Sequence, residues 1–224
     1  FVEHLARPNR DHRCIRRKIR SLSHTQDVEI TPEDVSKAIK AAKASTAIGP
    51  DGLAMIMLKH VGEKGLTYMA ETFSLCVNSL KIPDMWKLGK IIPIPKHGKP
   101  INMGSSYRPI TLLSPVIKVL ESILLPSLKE NLPMADHQHG FRTGHSTTTA
   151  LCEITTAIAG GLNSKRPHER TIVVALDLSK AFDTVCHTQL LQDLYDSTLP
   201  NVHKRWLGNY MAGRQSYVHF RGSR

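Results

Sequence analysis

The sequence predicts an α+β protein, and three observations predict it. Capped patterns of helical period run through 31–42 and 66–80. Two short strand-like segments, 90–96 and 107–113, flank a polar turn. A run of aliphatic and β-branched residues, Thr171-Ile-Val-Val-Ala-Leu176, leads straight into Asp177.

Each element has its own warrant. Residues 1–26 read as a basic linker or arm. Thr31 is an N-cap, Pro32 takes the first helical position, and Glu33 and Asp34 fill the first turn. Val35, Ala38, Ile39 and Ala42 form the apolar stripe of that helix, which stops before the turn Gly49-Pro-Asp-Gly52. Leu66, Met69, Ala70, Phe73, Val77 and Leu80 mark one face of a second helix. Lys90–Lys96 reads as an edge strand, because Pro93 and Pro95 argue against a central position. Tyr107–Leu113 returns beside it, giving a hairpin with a basic tip. A helix from Pro115 to about Asn131, with a kink expected at Pro126, precedes a polar loop from Met134 to His145. Another helix starts near Ser146. Thr171–Leu176 reads as a strand buried on both faces. Helical patterns follow around 189–195 and 202–212, and Arg214–Phe220 alternates like the start of a further strand.

The apolar fraction of 41% and charged fraction of 22% are those of an ordinary soluble globular protein with a real core. No apolar run approaches the roughly 20 residues of a membrane span, so no membrane partner is expected. The N-terminus lacks the apolar segment of a signal peptide. The chain begins at Phe1, which suggests a piece of something longer. Cys14, Cys76, Cys152 and Cys186 are scattered, with neither zinc spacing nor a disulfide framework, so a reducing interior is expected. The net charge of +11 is uneven. Residues 1–25 hold seven Arg and Lys against Glu3 and Asp11, and residues 81–110 hold six against Asp84. Two basic blocks on a neutral body suit a polyanion, or else a solvated tail and loop.

A carboxylate that ends a buried strand needs water, a cation or a metal. A two-metal phosphoryl-transfer site puts carboxylates on strand ends around cations about 4 Å apart. Asp177 is one correct part of such a site; taken alone, it is more simply a strand-ending cap. Asp183 lies beyond the strand and reads as a cap or structural carboxylate. Asp136, His137, His139 and His145 crowd one loop, but their spacing is a poor zinc pattern.

The motif Asp-x-x-x-Ala-Phe-Asp at 177–183 resembles the first catalytic motif of reverse transcriptases. Further strings agree, in order: Ile48-Gly-Pro-Asp-Gly-Leu53, Ile91-Ile-Pro-Ile-Pro-Lys96, Ser106-Tyr-Arg-Pro-Ile-Thr-Leu-Leu-Ser114, Lys118-Val-Leu-Glu121 and Gln138-His-Gly-Phe-Arg-Thr-Gly-His-Ser-Thr147. The set resembles the enzymes of non-LTR (LINE-type) retrotransposons, in a jockey-like flavour, over about residues 30–220. Singly these strings are weak; together and in order they are specific.

The resemblance implies a right-hand polymerase fold. Residues 1–26 would be the basic arm, 27–168 the fingers and 169–224 the N-terminal part of the palm. The hairpin that carries the family's aspartate pair is expected after Arg224. Asp177 matches the first metal-binding aspartate, and Leu178 would offer its backbone carbonyl to a second metal. Phe182 matches the aromatic under the incoming sugar, which excludes a 2′-hydroxyl; as an isolated Phe it would read as core. Lys96 and Arg108 match finger cations that clasp the triphosphate; without the family they would read as a solvated hairpin. Gln138, Phe141 and Arg142 match a loop near template and nucleotide. His139 stands where the family often has an aromatic.

The implied enzyme is an RNA-directed DNA polymerase using Mg²⁺ or Mn²⁺. Its partners would be an RNA template, a DNA primer and deoxynucleoside triphosphates. Translation in the cytoplasm and action in the nucleus follow for an integrating element. Because Asp177 lacks its partner carboxylates here, this chain alone is expected to be inactive. The alternative is a truncated or degenerate element product that binds nucleic acid without catalysis. A basic adaptor unrelated to polymerases ranks last.

Overall fold

The computed structural model describes residues 10–23, 27–132, 134–164, 169–178 and 181–220. Residues 1–9 of the predicted arm, and Ser179 and Lys180 of the Asp177 motif, lie outside the described residues. The chain divides into two compact units, residues 1–132 with 186–224 and residues 133–185.

The first unit is built on α2 (Pro32–Ala41), α3 (Met55–Leu58), α4 (Glu63–Ser79), α5 (Asp84–Lys87) and α6 (Pro115–Asn131). The start of α2 is the predicted one. Thr31 accepts from the Asp34 amide, and the Asp34 carboxylate accepts from the Thr31 amide, a reciprocal capping box. Val35 and Ile39 of α2, Phe73 and Val77 of α4, and Ile117, Leu120 and Leu124 of α6 meet in one buried cluster. The Gly49-Pro-Asp-Gly52 turn closes through the Gly49 amide on the Leu53 carbonyl at 2.8 Å. A Cβ at Gly49 would lie 3.0 Å from the Leu113 carbonyl and 3.2 Å from the Ser114 Cα. Only glycine lets this turn lie against the backbone entering α6.

The sheet contains β1 (Leu88–Pro95), β2 (Tyr107–Leu112) and β3 (Gln215–Val218) in the order β2-β1-β3. β1 runs antiparallel to β2 and parallel to β3. The expected edge strand is therefore central. The prolines tolerate this because β3 pairs only with Leu88–Ile91. Pro93 and Pro95 lie beyond the end of β3, where a missing amide hydrogen breaks no ladder.

After α8 (His187–Asp196) come α9 (Asn201–Tyr210) and β3. Trp206 of α9 is buried in the main core and stacks on Tyr210 with ring centroids 5.1 Å apart. The segment expected as a basic arm contains helix α1 (Arg10–Arg20). Ile15 and Ile19 of α1 bury against Leu191 of α8, while Arg13, Arg17, Lys18 and Arg20 face solvent. The described part of the arm is thus a packed amphipathic helix.

The second unit holds a loop over 134–146, helix α7 (Thr147–Leu162) and the segment 169–178. Ser146 caps α7 by accepting from the Thr149 amide, as its position predicts. The Glu169 amide then turns the chain back by donating to the Gly161 carbonyl at 3.2 Å. Here the structure departs most from the sequence reading. Residues 171–178 form no strand and are exposed, Ile172 by 85% and Leu176 by 91%. A strand buried on both faces needs partners on both sides, and no described residue pairs with this one.

Candidate functional site

The predicted site residues fall in both units. In the first, the sheet register places the two cations. Ile94 pairs with Arg108, and the Lys96 amide extends the ladder to the Ser106 carbonyl at 2.7 Å. Residues two apart on a strand share a face, so Lys96 and Arg108 lie diagonally on one face of the hairpin. Lys96 Nζ donates to the Ser105 carbonyl at 2.8 Å, which draws its ammonium toward the loop; Arg108 is exposed. The other basic positions of this block are not equivalent. Lys87 is 8% exposed, and its Nζ donates to the Asn209 carbonyl at 3.0 Å. Desolvation lowers the Lys87 pKa, against the opposing pull of Asp84. That charge belongs to the packing of α9, not to a ligand surface.

The second unit holds Asp177, Leu178, Phe182, Gln138, Phe141 and Arg142. Asp177 and Leu178 are exposed. Phe141 and Phe182 are exposed by 85% and 82%, yet their rings meet edge to face with centroids 6.5 Å apart. The core-packing reading of Phe182 is thereby set aside. Phe141 adopts φ +61°, a left-handed conformation unusual for a bulky side chain. The guanidinium of Arg142 donates to the Ala135 and Asp136 carbonyls at 3.2 and 3.0 Å, closing its own loop. Gln138 Nε2 donates to the Gly140 carbonyl at 3.0 Å.

One participant escaped the sequence reading. Glu153 of α7 accepts from His137 on one carboxylate oxygen and from His139 Nε2 on the other, the second at 2.6 Å. The hydrogen bonds from His139 and His137 hold its carboxyl below the usual carboxylate range. Its distance along the chain hid it, although two histidines one residue apart and a helical carboxylate were visible.

A hard divalent cation takes about six or more oxygen ligands. The Asp177 carboxylate and the Leu178 carbonyl offer two kinds of oxygen at one place in the chain. Among the described residues, no group of three His, Cys, Asp or Glu side chains is placed to hold a metal ion.

Comparison with known proteins shows the family of the chain. The family model described as reverse transcriptase (RNA-dependent DNA polymerase) matches residues 94–224. The chain belongs to the reverse transcriptase family. The matched region runs from the hairpin through Asp177 to β3. Relatives include the probable RNA-directed DNA polymerase from transposon X-element of Drosophila melanogaster, 34% identical over 87% of this chain and 22% of that protein. The probable RNA-directed DNA polymerase from transposon BS of the same species is 30% identical over 87% of this chain and 21% of that protein. The RNA-directed DNA polymerase from mobile element jockey is 29% identical over 72% of this chain and 18% of its own length. These are non-LTR retrotransposon polymerases, as the ordered motifs imply. This reverse transcriptase chain spans about a fifth of the length of the curated relatives it matches.

Proposed function

We propose that this chain is the fingers and first palm segment of an RNA-directed DNA polymerase from a non-LTR retrotransposon, acting within a longer protein. The observation that carries the reading is the family match over residues 94–224, a range that includes Lys96, Arg108, Asp177 and Phe182. Lys96 and Arg108 share a hairpin face and supply a point charge and a forked guanidinium for a triphosphate. Phe182, exposed and braced by Phe141, is the surface that a deoxyribose would meet and that a 2′-hydroxyl would crowd. Asp177 and the Leu178 carbonyl are ligands toward Mg²⁺ or Mn²⁺, with the remaining ligands supplied by other carboxylates and the nucleotide. RNA template and DNA primer would be held through their phosphates by exposed Arg and Lys. Action follows cytoplasmic translation and takes place in the nucleus.

Primer extension on poly(rA)/oligo(dT) with Mg²⁺, using the complete reading frame that contains this chain, tests the reading. DNA synthesis is expected, and Asp177→Asn should abolish it without altering thermal stability, since Asp177 is exposed. Synthesis by the 224-residue chain alone would overturn the view that Asp177 needs partner carboxylates. A complete frame that binds the hybrid but never extends it favours a nucleic-acid-binding product without catalysis.

A further inference from the structure

We infer that Glu153 is a positioning residue: through His137 and His139 it fastens the loop bearing Gln138, Phe141 and Arg142 to the first half of α7. The role rests on the proposed placement of that loop beside template and nucleotide.

Residues 134–146 lack regular secondary structure, are mostly exposed, and include Phe141 in a left-handed conformation. Ordering such a segment costs conformational entropy and needs specific ties. Among the described residues, the side chains of Arg142 and Gln138 bond to backbone within the loop, which shapes it without attaching it. The attachments run to α7. Thr149 and Glu153 lie four residues apart and therefore on one face of the helix. His139 bonds to both, Nδ1 with Thr149 Oγ1 at 2.9 Å and Nε2 with Glu153 Oε2 at 2.6 Å. The other carboxylate oxygen takes His137. One carboxylate thus grips the residues on either side of Gln138. The side chain of His139 is 17% exposed against 84% for His137, which makes His139 the anchor.

Counting hydrogens sharpens this. The Thr149 hydroxyl also lies 2.8 Å from the Ser146 carbonyl, so it is shared between the loop and the start of its own helix. Ionised Glu153 only accepts. Nε2 of His139 is therefore the donor in the contact to Glu153. The His139 ring also packs beside His145, centroids 5.3 Å apart.

Hydrogen exchange and imidazole NMR on the full chain test the inference. Glu153→Ala should speed amide exchange across 136–145 by about tenfold or more, and His137→Ala with His139→Ala should match it without touching the helix. Helix content should survive, because alanine is a strong helix former at an exposed site. Glu153→Gln, with one acceptor oxygen in place of two, should fall between. Wild-type His139 should show an Nε2 proton protected from exchange, and Glu153→Ala should lose that protection. Unchanged exchange in Glu153→Ala, or a wild-type His139 whose Nε2 carries no proton, overturns the fastening. Photocrosslinking to bound poly(rA)/oligo(dT) separates the inference from the reading beneath it. A yield at the loop that falls along with faster exchange supports positioning. Faster exchange with unchanged yield overturns positioning. No crosslink to the wild-type loop, with the exchange result intact, overturns the loop's placement beside template and leaves the fastening standing.

Discussion

At the scale of single residues, partners decide what a charge is for. Lys204 is 8% exposed and donates to the Tyr195 and Ser197 carbonyls at 2.8 and 2.6 Å, closing the C-terminal end of α8. Lys204→Ala should cost about 1 kcal/mol in urea unfolding, because it leaves two half-buried carbonyls without that donor. Tyr210 is the titration reporter. Burial, and then its hydrogen bond to Glu121, push its pKa up to about 12, while Arg214, 4.5 Å above the ring, pulls the other way. A phenol raised in the folded state contributes stability that is intact below its ordinary value of about 10 and is lost as pH rises through the folded value. Of the five tyrosines, one should lag the others in phenolate absorbance, and Tyr210→Phe should remove that lagging phase. It should also lower stability at neutral pH by about 1 kcal/mol. Such roles are illegible in sequence. Lys87 and Arg108 belong to one basic block by composition, yet one is buried against α9 and the other lies exposed on the hairpin.

At the scale of elements, local chemistry was readable and pairing was not. Thr31 and Ser146 mark helix starts because a cap acts on an amide only three residues away. Pro93 and Pro95 argue for an edge strand, and that expectation fails because nothing local says that β3, more than 100 residues later, pairs with Leu88–Ile91 and stops short of the prolines. The same limit explains Thr171–Leu176, whose composition states a preference for a sheet that no described residue supplies. Lys96 and Arg108 were legible as a pair only through the family resemblance, since alone they read as a solvated hairpin; the strand register puts them on one face. Helix α1 was missed because its apolar stripe is thin, Ile15 and Ile19 among arginines, and its partner Leu191 is far along the chain. Leu191→Ala should therefore cost about 2–5 kcal/mol. It should also expose the bonds after Arg16, Arg17 and Arg20 to trypsin; unchanged digestion would show that α1 is held by something else.

At the scale of the whole molecule, the net charge of +11 overstates what a polyanion can meet, since Lys87 and Lys204 are internal. The exposed cations of α1 are better candidates. Arg17→Gln and Arg20→Gln should each reduce the salt slope of binding by about 0.7 on single strands or 0.9 on duplex, as each contact to phosphate releases a counterion. The same changes to Lys87 should leave that slope alone and register in stability instead. The unpaired run Thr171–Leu176 has a different consequence at this scale. It is six residues of high β-propensity with no charge, proline or glycine, lying open along its backbone. Such a stretch can recruit identical copies into a dry stacked fibril. A concentrated solution of this chain should gain thioflavin fluorescence and light scattering with time, and Val173→Lys should suppress both. The residues that lead to Asp177 are, in this chain by itself, a seed for self-assembly.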